Sequence, residues 1–234
     1  MMLACACVGQ RDDPDDIPLG PDTPDTPDTP TELTGTCLLL DFTGTWCVNC
    51  PRMESAVEEA MTARPGLIVP VSVHCLNLDP MAPLPLSSDL ATRFGVSAYP
   101  SVIVDLDKAS LFSVSSADII ISRCEAALKA RGEAAELAVE QNGTTVTVTA
   151  KVAQQGDYTL HLLVLEDGLV AAQTGGSEQH VHNNVLREWL DSEEYKGLGP
   201  GDEIMFAKGV MLEKGQRLVA LACRNGIVNN VIQK

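Results

Sequence analysis

The sequence predicts an α/β domain followed by an antiparallel, β-sandwich-like domain, and three observations carry that prediction. Apolar runs of strand length alternate with helical stripes between Cys37 and Gly132, the pattern of a sheet with helices packed on it. Beyond Gly132 the pattern turns to short strand-like runs, with turn signals at Asn142-Gly143 and Asn225-Gly226. Ahead of both lies "RDDPDDIPLGPDTPDTPDTP", which is acidic, rich in proline and has nothing to bury. The expected organisation is residues 1–32 as leader remnant and linker, 33–132 as the α/β domain and 133–234 as the β-rich domain.

Each segment has its own reason. The opening "MMLACACVGQ" places small residues before a cysteine, and Met2-Leu3-Ala4-Cys5 fits a lipoprotein cleavage box, which would make Cys5 a lipidation site. The other reading of these cysteines is chance. The repeat "PDTPDTPDTP" has a period of three, that of polyproline II, and its aspartates repel one another, so it reads as an extended spacer of about 3 Å per residue. "CLLLDF" is a buried strand. From Cys50 to Ala63 a helix is expected, with Met53, Val57, Ala60 and Met61 on its apolar stripe. "LIVPVSVHC" is a second strand, and a proline-rich loop leads to a short helix "SDLATRF" capped by Ser87 or Ser88. "SVIVDLD" is a third strand, and a helix from about Ala117 to Ala130 stops at Gly132. Hairpin strands follow in "ELAVEQNGTTVTVTAKV", "YTLHLLVLED", "DEIMFAKGVML" and "RLVALACRNGIVNNVIQ".

Composition narrows the function classes. The chain has 234 residues, 45% of them apolar, enough for two modest cores. Its formal net charge of −16 argues against a nucleic-acid partner, which requires clustered Lys and Arg. Much of that acidity is the seven aspartates between Asp12 and Asp28. No apolar stretch approaches the eighteen or so residues that cross a bilayer as a helix.

The chemistry concentrates in "DFTGTWCVNCP", Asp41 to Pro51. A Cys-x-x-Cys pair at a strand-to-helix junction puts Cys47 where free N–H groups and the helix dipole stabilise a thiolate. Cys50, nearly one turn on, is close enough to form a disulfide with it. Three uses stand side by side: a redox pair, a static structural disulfide, and part of a zinc clip. Zinc needs four ligands, and no second Cys-x-x-Cys or Cys and His at finger spacing accompanies the first. No metal or cofactor is therefore expected.

These residues resemble the thioredoxin family. Asp41 precedes Cys47 by six residues, as a buried acid does in the thioredoxin active-site segment, and "ATRFGVSAYPSVIV" is similar to the stretch that carries a cis-proline beside the cysteines. The resemblance implies a thioredoxin-like fold and these roles: Cys47 as nucleophile, Cys50 as resolving thiol, Asp41 as the acid that takes the Cys50 proton, and Pro100 beside the pair. Tyr99-Pro100 is then the candidate cis bond, since cis bonds are almost confined to X-Pro. Tyr99 would face substrate, and Trp46, beside the pair, reads either as a substrate-facing aromatic or as a packing residue. Val48-Asn49 replaces the Gly-Pro of thioredoxin itself, which leaves the redox potential and its direction open. Pro51 fits the first helical turn, where a missing N–H costs little.

A longer resemblance spans "LLLDFTGTWCVNCPRMESAVEE", "AYPSVIV" and "LVLEDGLVAAQ…HVHNNVLREWL". It is to the outer-membrane twenty-eight-kilodalton lipoprotein family of Bacteroidetes-type bacteria. That family pairs a thioredoxin-like domain with a β-rich one. The resemblance implies a place in the cell envelope, on the periplasmic side or as an outer-membrane lipoprotein. The expected partners are protein thiols or disulfides, a redox partner that resets the pair, and a membrane reached through the N-terminal lipid.

Bland readings stand beside these. Cys37, Cys75, Cys124 and Cys223 lie in apolar runs, where free cysteine packs as a small hydrophobe. His180 and His182 share a strand face and could open a metal site, although no third ligand is near in sequence, so structural hydrogen bonding is expected of them. His74 and His161 read as packing residues. The rival to an enzyme is a surface binding module built on a thioredoxin-like scaffold. An enzyme requires Cys47 exposed next to Pro100 with open surface around it, whereas a platform can bury that face against the second domain.

Overall fold

The computed structural model describes residues 35–234, so the leader, the linker and Cys5 lie outside the described residues. The first half runs β1 (Cys37–Thr43), α1 (Cys50–Ala63), β2 (Ile68–His74), α2 (Leu86–Phe94), β3 (Ser101–Val104) and α3 (Ala117–Arg131). The second half runs β4 (Glu136–Asn142), β5 (Thr145–Lys151), β6 (Gly156–Glu166), β7 (Leu169–Ala171), β8 (His180–His182), β9 (Val185–Asp191), β10 (Tyr195–Leu198), β11 (Glu203–Gly209), β12 (Gln216–Arg224) and β13 (Ile227–Gln233).

β1 pairs in parallel with β2 and antiparallel with β3. The pleat sends alternate residues of β1 to opposite faces. Cys37 and Leu39 meet Met53, Ala56 and Ala60 of α1 and Ile120 and Cys124 of α3. Leu38, Leu40 and Phe42 meet a second core that holds Leu90 and Phe94 of α2. α1 is helical for ordinary reasons: Pro51 sits in its first turn, straight-chain and alanine residues fill it, and Pro65-Gly66 follows it. Met53, Val57 and Ala60 of its expected stripe are buried, and Met61 is partly buried against the same core.

The second core is completed by the chain's other half. Leu163 and Leu165 of β6, Leu186 of β9, Val219, Leu221 and Cys223 of β12, and Val228 and Val231 of β13 all belong to it. The intervening residues of β6 and β12, among them Leu160, Leu162, Leu218 and Ala220, face a third core under the separate sheet β11-β5-β4. β6 and β12 are thus buried on both faces, which explains why "TLHLLVL" and "LVALAC" read as continuous apolar runs rather than alternating ones. Two sheets packed on one apolar layer make the sandwich-like part.

One sheet spans both halves, in the order β13-β12-β6-β9-β2-β1-β3, with β10 on β6. The link is a short parallel contact of β9 with β2 at Val185 and Ser72, beside a hydrogen bond from Ser72 N to Asn184 O of 2.8 Å. The described residues, 35–234, accordingly form one compact unit.

Two local expectations are corrected. α2 begins at Leu86 with Pro85 at the cap, and neither Ser87 nor Ser88 caps it. The Pro85 carbonyl accepts from Ser88 N and Asp89 N, so both serines already lie inside the first turn. The first hairpin turns at Gly143-Thr144, since Asn142 pairs with Thr145. The second turns where expected: Arg224 pairs with Ile227, and Asn225 and Gly226 both take the positive φ that a type I′ turn requires.

Candidate functional site

The site lies at the carboxyl ends of β1 and β2, where their helix-facing side changes from apolar to polar. The residues after Cys37 and Leu39 on that face of β1 are Asp41 and Thr43, opposite Ser72 and His74 of β2 in register. α1 begins immediately above them. Cys47 and Cys50 form a disulfide with Cα atoms 5.4 Å apart, and Cys50 is the first residue of α1. The connecting loop is held by Cys47 N donating to Gly44 O at 3.0 Å and Cys50 N donating to Cys47 O at 3.3 Å. Both cysteines are nearly covered, at 5% and 2% exposure, while Val48 between them is 60% exposed.

Asp41, behind the pair, is only 7% exposed, and its Oδ1 has no hydrogen-bond partner. Burial in this setting, with the negative charge of Glu54 as a second cause, pushes its carboxyl up to about 7. Glu54 lies one turn beyond Cys50 on α1, and its Oε2 sits 2.8 Å from Nε2 of His180. Burial raises the Glu54 carboxyl as well, against the opposing pull of His180. His74 bonds Asp79 through Nδ1 at 2.8 Å. Burial opposes the Asp79 charge, but the His74 contact and the N–H groups of Met81 and Thr45 outweigh it and hold this carboxyl below its ordinary value. The His182 ring packs edge-on to those of His74 and His180, with centroids 5.2 and 4.6 Å away. Burial first, then these two neighbours, lower His182 to about 4, so its ring is neutral at physiological pH.

On the other side of the pair, the Tyr99–Pro100 peptide is cis. Pro100 is buried, and an open groove runs past Asn49, Arg52, Ala98, Tyr99 and Ser113. Trp46 and Tyr99 meet edge to face at 5.1 Å. The indole donates to the Cys75 carbonyl at 3.0 Å. Burial, followed by the neighbouring Cys75, raises the Tyr99 hydroxyl to about 12, and burial raises the Cys75 thiol to about 11. Trp46 and Tyr99 are therefore tied to each other and to the end of β2. Cys37, Cys75, Cys124 and Cys223 are free and buried. Burial drives the Cys223 thiol up, and the contact with Cys124, together with burial, does the same for Cys37. Cys37, Cys75 and Cys223 are therefore poor nucleophiles, because attack needs the thiolate.

The segment between β7 and β8 reaches over the cysteine loop. The Gln173 side-chain amide donates to the carbonyls of Gly44 and Cys47 at 3.2 and 3.0 Å, and Thr174 N donates to Thr45 O at 2.8 Å. Gly175 has φ +79, and a Cβ there would stand 2.3 Å from Val48 O, so only glycine fits this approach. The C-terminal half thus covers one flank of the pair and leaves the Pro100 groove open on the other. Among the described residues no group of three or more His, Cys, Asp or Glu is arranged to hold a metal. Sequence reasoning did not single out Glu54, Gln173 or Asp79 for the site and assigned His74 to packing. Glu54 had a signal, its spacing of four from Cys50 on one helix face. The others come from strand ends and loops whose approach no local pattern announces.

No protein-family model matches the chain, and no curated protein matches it. Among solved structures it is similar to HBP35 of Porphyromonas gingivalis, at a TM-score of 0.69 and 18% identity, covering 86% of this chain and 74% of that one. It is likewise similar to protein AGR_C_4864 of Agrobacterium tumefaciens, at a TM-score of 0.67 and 11% identity, covering 86% and 94%. At such identities the likeness establishes the fold alone: this chain is a thioredoxin-like α/β unit continued by an antiparallel β-rich unit, with a disulfide-bonded Cys-x-x-Cys pair at the start of its first helix.

Proposed function

We propose that the protein is a thiol–disulfide oxidoreductase working through Cys47 and Cys50. The reading rests chiefly on one juxtaposition: the pair sits at the head of a 14-residue helix with the buried acid Asp41 behind it. In the reducing direction the Cys47 thiolate attacks a substrate disulfide, forming the Cys47–substrate bond and releasing one substrate thiolate. Cys50 then gives its proton to Asp41 and attacks Cys47. The Cys47–Cys50 bond forms, the mixed disulfide breaks, and the second substrate sulfur leaves with the electron pair and takes a proton from water. The oxidising direction is the same sequence reversed. An acid poised near neutral pH suits this work, since it can both accept and return a proton there.

The test is the reduction potential of the pair, measured in glutathione buffers, with Cys47→Ser as the control. A value between about −270 and −120 mV, the span of known exchange proteins, agrees with this function and fixes its direction. A value well below about −300 mV marks an inert bridge. It would favour a second reading, a non-enzymatic surface module, for which the near-complete cover of Cys47 and the contact with Gln173 speak.

We further propose, from the resemblance of the "LLLDFTGTWCVNCPRMESAVEE", "AYPSVIV" and "LVLEDGLVAAQ…HVHNNVLREWL" segments to the twenty-eight-kilodalton lipoprotein family, that the chain is an envelope lipoprotein anchored through Cys5. Its partners would then be envelope protein thiols or disulfides and a membrane-bound reductant or oxidant. Radiolabelled palmitate entering the wild type but not Cys5→Ala is the expected result; equal labelling of both removes the proposal.

A further inference from the structure

Behind Cys50 lies a cavity of about 20 Å³, lined among others by Asp41, Thr43, Ser72, His74 and His182. Two buried polar atoms that lack any partner, Asp41 Oδ1 and His182 Nε2, belong to two of its lining residues. They come from different halves of the chain, β1 and β8. Unpaired buried polar atoms are costly. A polar cavity of this size holds one water, which needs about 10–15 Å³ and two to four partners.

We propose that one water molecule fills this cavity and bridges Asp41 Oδ1 to His182 Nε2, which makes His182 the positioning residue for the acid that serves Cys50. The inference rests on the exchange function proposed above. A neutral imidazole with a free Nε2 accepts one hydrogen from this water, and the carboxylate accepts the other. The bridge therefore favours the charged form of Asp41, the form able to take the Cys50 proton before that sulfur attacks. No further reactant is involved.

The groups facing Asp41 are Cys50 and Glu54 from α1, His74 from β2 with Asp79 and Cys75 beyond it, and His180 and His182 from β8. Of these, only His182 presents an unpartnered buried atom among the described residues. Burial and the charge of Glu54 already push the Asp41 carboxyl up to about 7, and loss of the bridge pushes it further in the same direction.

The experiment follows the carboxyl carbon of Asp41 by 13C NMR in the oxidised full chain, where Cys50 does not titrate, with Asp41→Asn for assignment. In His182→Phe the Asp41 midpoint should rise by about one pH unit, a tenfold change in its charged fraction below the midpoint. The exchange rate against pH should move with it: about tenfold slower near pH 6 and close to wild type at pH 9. A merely structural role would lower the rate equally at every pH. An unmoved midpoint in folded His182→Phe overturns the bridge. A readout that needs no His182 variant is the imidazole 15N spectrum: a hydrogen-bonded Nε2 that changes as Asp41 titrates is expected, and a spectrum indifferent to Asp41→Asn overturns the proposal. Should the wild type exchange no disulfide while the Asp41 midpoint still responds to His182→Phe, the bridge stands and the oxidoreductase function falls. With fast exchange and an unmoved midpoint, the function stands and the bridge falls.

Discussion

Two buried aspartates, Asp41 and Asp105, sit toward opposite ends of the paired antiparallel strands β1 and β3, and they are held in opposite ways. Asp105 follows β3, accepts from Leu38 N at 2.9 Å and pairs with Arg131 of α3 at 2.7 Å. Arg131 also donates to the Thr36 carbonyl at 2.8 Å, leaving only its Nε without a partner. Burial raises the Asp105 carboxyl, but Arg131 opposes the rise. Asp41 has no cation against it: its Oδ1 is unpartnered, Glu54 repels it, and its carboxyl reaches about 7. The difference separates two uses of a buried acid. A satisfied one fastens elements together, here the end of α3 to β1 and β3. An unsatisfied one, kept near its midpoint, is a proton exchanger, and its position behind Cys50 is where one is required.

The hardest test of this contrast is to remove the satisfied pair's cation. Arg131→Ala leaves Asp105 buried with its main partner gone, and breaking a buried pair in this way costs about 3–5 kcal/mol. With both side chains about 95% covered, little of that is screened. For a domain of this size the melting temperature should fall by about 2–4 °C for each kcal/mol. Exchange per folded molecule should stay at the wild-type rate. A loss below about 1 kcal/mol would mean that the Asp105 cluster is no fastener at all.

Asp41→Asn should do the reverse, costing activity and relieving stability. Without an acceptor for the Cys50 proton, the resolving step at neutral pH should slow by about 10²-fold, the lower end for a lost general base. The stability sign follows from the raised carboxyl. Below its unfolded value, near 4, Asp41 is protonated in both states and carries no penalty; between about 4 and about 7 the unfolded state ionises while the folded state stays protonated, so the penalty builds across that window and levels off above it. The advantage of Asp41→Asn over wild type should therefore be absent at pH 4 and grow towards pH 8, to at most about 4 kcal/mol for a shift of roughly three units. Urea melts at both pH values measure it. A difference independent of pH would show that Asp41 is an ordinary acid.

Sequence alone supplied one side of this contrast. Asp41 was legible because its six-residue interval to Cys47 is local and its strand is a single apolar run. The helix from Cys50 to Ala63 was legible for the same reason, since Pro51 and Pro65-Gly66 bracket an unbroken stripe. The Asp105–Arg131 pair was not, because 26 residues separate its members and only the packing of α3 brings them together. Nor was the sheet's continuity: β9 touches β2 in one parallel register pair, and a contact of that kind has no local signature. The short strands β7 and β10, of three and four residues, were missed because glycines interrupt or flank their patterns. The histidines at 180 and 182 were placed on one strand face, but their purpose depends on Glu54 and Asp41, which come from the other half of the chain.

The smallest effect separates the two causes of the Asp41 shift. Burial is the larger and the charge of Glu54 the smaller. Glu54→Gln removes the charge, keeps the side chain's bulk, and leaves an amide for His180. Glu54 is about one-third exposed, so solvent screens its influence, and a partly exposed contact of this kind with His180 contributes only about 0–1 kcal/mol to stability. The Asp41 midpoint should accordingly drop by a fraction of a pH unit, well short of the ordinary carboxylate range. Folding stability should change by less than about 1 kcal/mol. If the midpoint instead fell below about 5, repulsion rather than burial would be what keeps Asp41 near neutrality. The site would then depend on the charge of α1, and the contrast with Asp105 would be one of neighbours, like charge against opposite charge, rather than of satisfied against unsatisfied burial.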